Sequence, residues 1–133
     1  MNITNQKTHV LTSKKLVGSV ISIKNDRATV TLKITKEMVV DSFNLTHGGF
    51  VFGLADYAAM VAINEPTVVL GKAEVKFIKP VIINEELTAK ATISERINEK
   101  KIVVNVQVFN QKDELVFEVN FVCFVLENII LEK

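Results

Sequence analysis

Residues 46–64 read THGGFVFGLADYAAMVAIN, a His-Gly-Gly turn opening a helix-forming run that carries one acid, Asp56. The run is apolar nearly all round, which places the helix through the middle of a fold and not on its surface. A carboxylate on such a helix is costly to bury unless it has partners or a task. Gly48 and Gly49 are expected to leave bare N–H groups at the helix start, where the macrodipole favours negative charge. An anion-stabilising helix end and a lone acid in one element point to chemistry on a polarised carbonyl.

At ~1.5 Å rise per residue, Asp56 stands on the order of 10 Å along the axis from Gly49. It cannot act on a carbonyl docked at the start of its own helix. If both features serve one reaction, the acid comes from a second copy, so a homo-oligomer, dimer or dimer of dimers, with a shared site is expected. Gly49, Gly53, Asp56 and Met60 fall near one stripe of the helix. Two glycines there would let another backbone approach closely.

Outward from the helix, residues 16–35 read as a hairpin alternating about an Asn25-Asp26 turn, and residues 36–47 as a connection into the glycine turn. Glu65-Pro66 stops the helix near Asn64. Four period-two segments follow: TVVLGKAEVKFIK, ELTAKATISERI, KIVVNVQVF and ELVFEVNFVCFVL. Their short polar connections imply antiparallel neighbours. The expected fold is α+β, a curled antiparallel sheet of about six strands wrapped around one long central helix. Residues 1–133 form one domain in this reading, with 1–15 a poorly ordered or short helical segment. The last strand is apolar on both sides, Phe117, Val119, Phe121 and Cys123 against Val122, Phe124 and Leu126. Its second face needs cover, expected from a partner subunit.

Composition removes several function classes. Sixteen Lys and Arg against fifteen Asp and Glu give a net charge of +1, which argues against nucleic acid as a partner. A lone cysteine, Cys123, forbids an intrachain disulfide and fits a reducing, cytoplasmic setting; in FVCFV it reads as a packed thiol. The first fifteen residues lack the apolar core of a signal peptide, and no apolar stretch is long enough to span a membrane. His9 and His47 are the only histidines, so no metal site is expected, and neither a nucleophile elbow nor a phosphate-cradling loop is present. Lys72, Glu74 and Lys76 alternate opposite Ala73, Val75 and Phe77 as a solvated strand face, with phosphate contacts a minor reading for the lysines.

The helix motif resembles that of small acyl-CoA thioesterases of the phenylacetic-acid-degradation type, which have the hotdog fold. Their signature looks like HGG-x-x-x-x-L-x-D-x-A, filled here by His47, Gly48, Gly49, Leu54, Asp56 and Ala58. FIKPVIINEEL at 77–87 resembles the strand-Pro-strand passage that follows the helix in that family, and the likeness runs over about residues 16–126. The resemblance implies hydrolysis of a coenzyme A thioester, with Asp56 as general base or nucleophile. The N–H groups near Gly48 and Gly49 would polarise the carbonyl, and His47 would position the thioester. Coenzyme A enters only as part of the substrate, and no cofactor is implied.

Two positions depart from the family. Asp41 replaces a common asparagine six residues before His47, and Asn44 stands where glycine is common. A second carboxylate near the site would raise the pKa of one of the pair, retuning the chemistry or leaving acyl binding without hydrolysis. The competing reading is therefore a non-catalytic acyl-CoA-binding protein with a regulatory or structural role. The residues before the first strand are too few for a DNA-binding helix pair, and the His-Gly-Gly opening argues against a hydratase.

Overall fold

The computed structural model describes residues 5–128 and Leu131. Its elements are α1 (Lys14–Val17), β1 (Ser19–Lys24), β2 (Arg27–Lys33), α2 (Gly48–Ile63), β3 (Val68–Phe77), β4 (Glu86–Arg96), β5 (Lys101–Phe109) and β6 (Leu115–Val125). The six strands form one antiparallel sheet in the order β1-β2-β4-β5-β6-β3. Every strand touches α2. Strands ~4.8 Å apart make a flat sheet of six about 24 Å across, more than twice the width of a helix. Contact with all six therefore requires the sheet to curl around α2. This is the expected hotdog fold.

Strand alternation puts the core on the concave face. In β5, Ile102, Val104, Val106 and Val108 are buried, while the residues between them are partly exposed. Ten of the sixteen residues of α2 are buried, among them Leu54, Ala58 and Val61 at 0% exposure. A Leu54→Ala change would leave a cavity and cost about 2–5 kcal/mol. The helix ends where Asn64 turns left-handed at φ 56° and donates its N–H to the Met60 carbonyl. The Asn64 side chain then ties down the N-terminal segment. Its Oδ1 accepts from Lys7 N–H at 2.7 Å, and its Nδ2 donates to the Asn5 carbonyl at 2.9 Å. The first four residues of that segment lie outside the described ones.

Two local expectations change. The first strand begins at Ser19, because Leu16 and Val17 belong to the single turn of α1. The Ser13 hydroxyl accepts the Leu16 N–H there, an N-cap that outweighs the β-preference of Val17. The second face of β6 is also partly covered by the chain itself. The Phe124 ring is seated against Gly71, where a Cβ would collide with it, so β3 supplies some of the cover expected from a partner.

Candidate active site

The approach to α2 is a loop held by its own polar groups. Asp41 Oδ1 accepts from the N–H groups of Phe43 (2.9 Å) and Leu45 (3.2 Å), and Asn44 adopts φ 67°. A left-handed residue explains why glycine suits position 44, and asparagine tolerates it next best. The Asp41 carboxylate is thus engaged with its own loop. Bridges Val39–Thr46 and Leu45–Ile82, with His47 N–H on the Met38 carbonyl at 2.9 Å, deliver the chain to the helix start.

At that start His47 is the N-cap, and its Nδ1 accepts the Gly49 N–H at 2.8 Å. An imidazole accepting at Nδ1 carries its proton at Nε2. The Phe50 N–H goes to the His47 carbonyl at 3.1 Å. The expectation of two bare glycine N–H groups is therefore corrected: the histidine ring takes that of Gly49. The Gly48 N–H has no partner among the described residues. A Cβ on Gly48 would lie 2.8 Å from the Phe77 ring, so glycine lets Phe77, at the end of β3, lie against the first turn. Phe77 in turn packs edge-on against Phe117 with centroids 5.0 Å apart. Beside Gly48 opens a cavity of about 230 Å³, walled by Val51, Phe77, Ile78, Val81 and Val116. The resemblance drew attention to the passage containing Phe77 without assigning that residue a role.

Asp56 lies eight residues along α2 from Gly48, ~12 Å by helical rise. The Phe52 ring meets Phe121 of β6 edge-on at 5.6 Å. One turn further along the helix and two residues further along the strand, Asp56 comes beside Cys123. Its Oδ1 is fully buried and has no hydrogen-bond partner. Burial pushes its pKa up to about 6. The Cys123 thiol is pushed up to about 12 by its own burial and then by the Asp56 carboxylate. A thiol so hard to ionise is the packed residue the sequence indicated. Tyr57 does not cap Asp56; its hydroxyl accepts from Gln6 at 3.0 Å.

The helix stripe is open at one end and closed at the other. Gly49 is exposed, Gly53 and Asp56 are half-buried, and Met60 is buried at 1% exposure. A Cβ on Gly53 would meet nothing within 4 Å, so this chain gives no packing reason for glycine there. His47, Gly48 and Gly49 thus gather at one end of α2, and Asp56 stands apart on the same open face. Lys72 pairs with Glu74 at 3.6 Å on the exposed strand face. Among the described residues, no three His, Cys, Asp or Glu side chains cluster to hold a metal, and no helix is long and apolar enough to cross a membrane.

The sequence profile of the thioesterase superfamily matches residues 43–117. Among curated proteins, a methylthioribose-1-phosphate isomerase of Aquifex aeolicus is 43% identical over 115 residues, 86% of this chain and 25% of that protein. The transcription factor FapR of Thermoanaerobacter sp. is 27% identical over 130 residues, 96% of this chain and 64% of that protein. The chain therefore spans between a quarter and just under two thirds of these relatives. Among solved structures, the uncharacterized protein PH1136 of Pyrococcus horikoshii superposes with a TM-score of 0.95 at 54% identity, covering 99% of this chain and 100% of that one. The PaaI protein from the phenylacetic acid degradation operon of E. coli gives 0.74 at 26% identity, covering 80% and 81%. With its turn, its central helix and three of its six strands wholly inside the matched region, the chain belongs to the thioesterase superfamily and has the hotdog fold.

Proposed function

We propose that the chain is an acyl-CoA thioesterase that works as a homo-oligomer of at least two copies, each site combining Asp56 of one copy with the α2 start of another. The observation that carries this reading is the Asp56 carboxylate: one oxygen fully buried, unpartnered, and poised at a pKa of about 6 on an open helix face. A structural acid at that depth would be hydrogen-bonded. An acid that ionises just below neutral pH is suited to take a proton from water.

In this mechanism the thioester oxygen docks on the Gly48 N–H at the positive end of α2. His47 holds that turn in shape by capping Gly49. Asp56 of the other copy accepts a proton from a water molecule, whose oxygen adds to the carbonyl carbon. The tetrahedral intermediate collapses with cleavage of the C–S bond. The products are a carboxylic acid and coenzyme A, whose thiolate picks up a proton. The second copy is needed because ~12 Å separates the two halves within one chain. Residues 1–133 are taken as one functional unit of this kind.

Release of free thiol from a panel of acyl-CoA thioesters tests the reading. Hydrolysis by the wild type, reduced about a hundredfold or more in Asp56→Asn, is expected. The likeness to the transcription factor FapR supports a second reading, a non-catalytic protein with a regulatory role, which in this chain would bind acyl-CoA without turning it over. Tight binding with no hydrolysis of any thioester in the panel would establish that alternative.

A further inference from the structure

Lys79 stands beside the cavity at the helix start, and its half-exposed ammonium is paired with an acid. Its Nζ donates to Glu114 Oε2 at 2.6 Å. Glu114 is itself held from behind. Its Oε1 accepts from Asn110 Nδ2 at 2.8 Å, and its N–H donates to Asn110 Oδ1 at 3.0 Å. Asn110 is buried at 6% exposure and fixed at the turn between β5 and β6. Hydrogen bonds from Lys79 and then Asn110, with the Lys79 charge, hold the Glu114 carboxyl below its ordinary range. No other wall residue carries a charge: most, among them Val51, Phe77, Ile78, Val81 and Val116, are apolar, and Thr46 adds one hydroxyl, which is buried without a hydrogen-bond partner.

We infer that this cavity is the acyl pocket and that it selects an uncharged apolar acyl group of about six to eight carbons. The Asn110–Glu114–Lys79 chain excludes acyl groups that end in a carboxylate. The inference rests on the proposed thioesterase reading and names its substrate class. An apolar cavity of ~150 Å³ accommodates one benzene. The present 230 Å³ therefore accommodates a ring with one or two further carbons, or a straight chain of similar volume. A two-carbon acyl group leaves most of the apolar wall wet, and a sixteen-carbon chain overruns it. A terminal carboxylate would have to be desolvated among largely apolar walls with no free cation to meet it, because Glu114 holds Lys79, the only cationic side chain among the described residues that line the cavity.

The test compares kcat/KM for acetyl-, hexanoyl-, phenylacetyl-, adipyl- and palmitoyl-CoA on the wild type, Glu114→Gln and Phe77→Ala. Hexanoyl and phenylacetyl should lead on the wild type, with acetyl at least tenfold lower, since each buried methylene is worth about fourfold. Glu114→Gln keeps an acceptor for Asn110 and frees Lys79, so the adipyl-to-hexanoyl ratio should rise about fivefold. Phe77→Ala removes the wall at the first turn and should move the optimum to longer chains. Hydrolysis that favours acetyl, adipyl or palmitoyl on the wild type, or an unchanged ratio in Glu114→Gln, overturns the inference while leaving the thioesterase reading standing. If nothing in the panel is hydrolysed, that reading fails. Calorimetric affinities for the same five thioesters then decide the pocket: the same order supports it, and a flat or inverted order overturns it.

Discussion

Replacing Asp56 by asparagine should make the protein more stable and much less active, with the gain in stability depending on pH. Oδ1 is buried without a partner, while the other oxygen is not sealed from solvent. The rise in pKa from 3.8 to about 6 corresponds to about 3 kcal/mol at ~1.4 kcal/mol per tenfold change in ionisation. Solvent reaching the half-buried side chain screens part of this, leaving about 1–3 kcal/mol. The sign follows from proton binding. Between pH 3.8 and about 6 the folded chain keeps a proton that the unfolded chain has released, so stability falls as pH rises through that window. Above about pH 6 the full penalty applies. Asparagine has the same shape and no charge, so it escapes the penalty. Urea unfolding at equal protomer concentration should therefore favour Asp56→Asn by about 1–3 kcal/mol at pH 8 and by clearly less at pH 4.5. The same preparation should release thiol from its best substrate about a hundredfold more slowly. A variant less stable than the wild type at pH 8, or a stability difference identical at the two pH values, would refute the unpaired-carboxylate argument.

Three further outcomes are expected. The logarithm of kcat/KM should climb with pH and level off above a midpoint near 6, as Asp56 loses its proton; a flat profile from pH 5 to 8 would remove it as the base. Asp56→Asn and Gly49→Val should each be nearly inactive, yet unfolding and refolding them together should restore roughly a quarter of wild-type activity, because half the dimers carry one intact pair of half-sites. The valine Cβ would crowd the His47 ring at 2.8 Å, so circular dichroism of that variant must show a fold; mixed dimers without activity would dismiss the shared site. Gly53→Leu projects into open space in the single chain and should shift sedimentation toward monomer, whereas an undisturbed oligomer would place the interface elsewhere.

Much of this protein was determined by its sequence alone. The 3.6-residue periodicity fails in residues 48–63 because apolar side chains occupy every face, and a helix apolar on all sides can only be wrapped. The period-two segments that follow supply the wrapping, and short polar turns force them antiparallel. The His-Gly-Gly start and the lone acid nine residues after the histidine were legible because glycine and a buried carboxylate are each costly in a helix without a reason. Tertiary structure decided what those groups do to one another. Whether the Gly49 N–H is bare depends on the rotamer of His47, which accepts it. Whether Asp41 faces the site depends on a loop whose N–H groups it satisfies. Phe77 meets Gly48 from 29 residues away because β3 packs against α2, and Glu114 meets Lys79 from 35 because β3 and β6 lie side by side at the sheet edge. Local sequence sets periodicity and turn chemistry through contacts a few residues long. The pairing of distant side chains around a cavity is fixed only when sheet order and register bring them together.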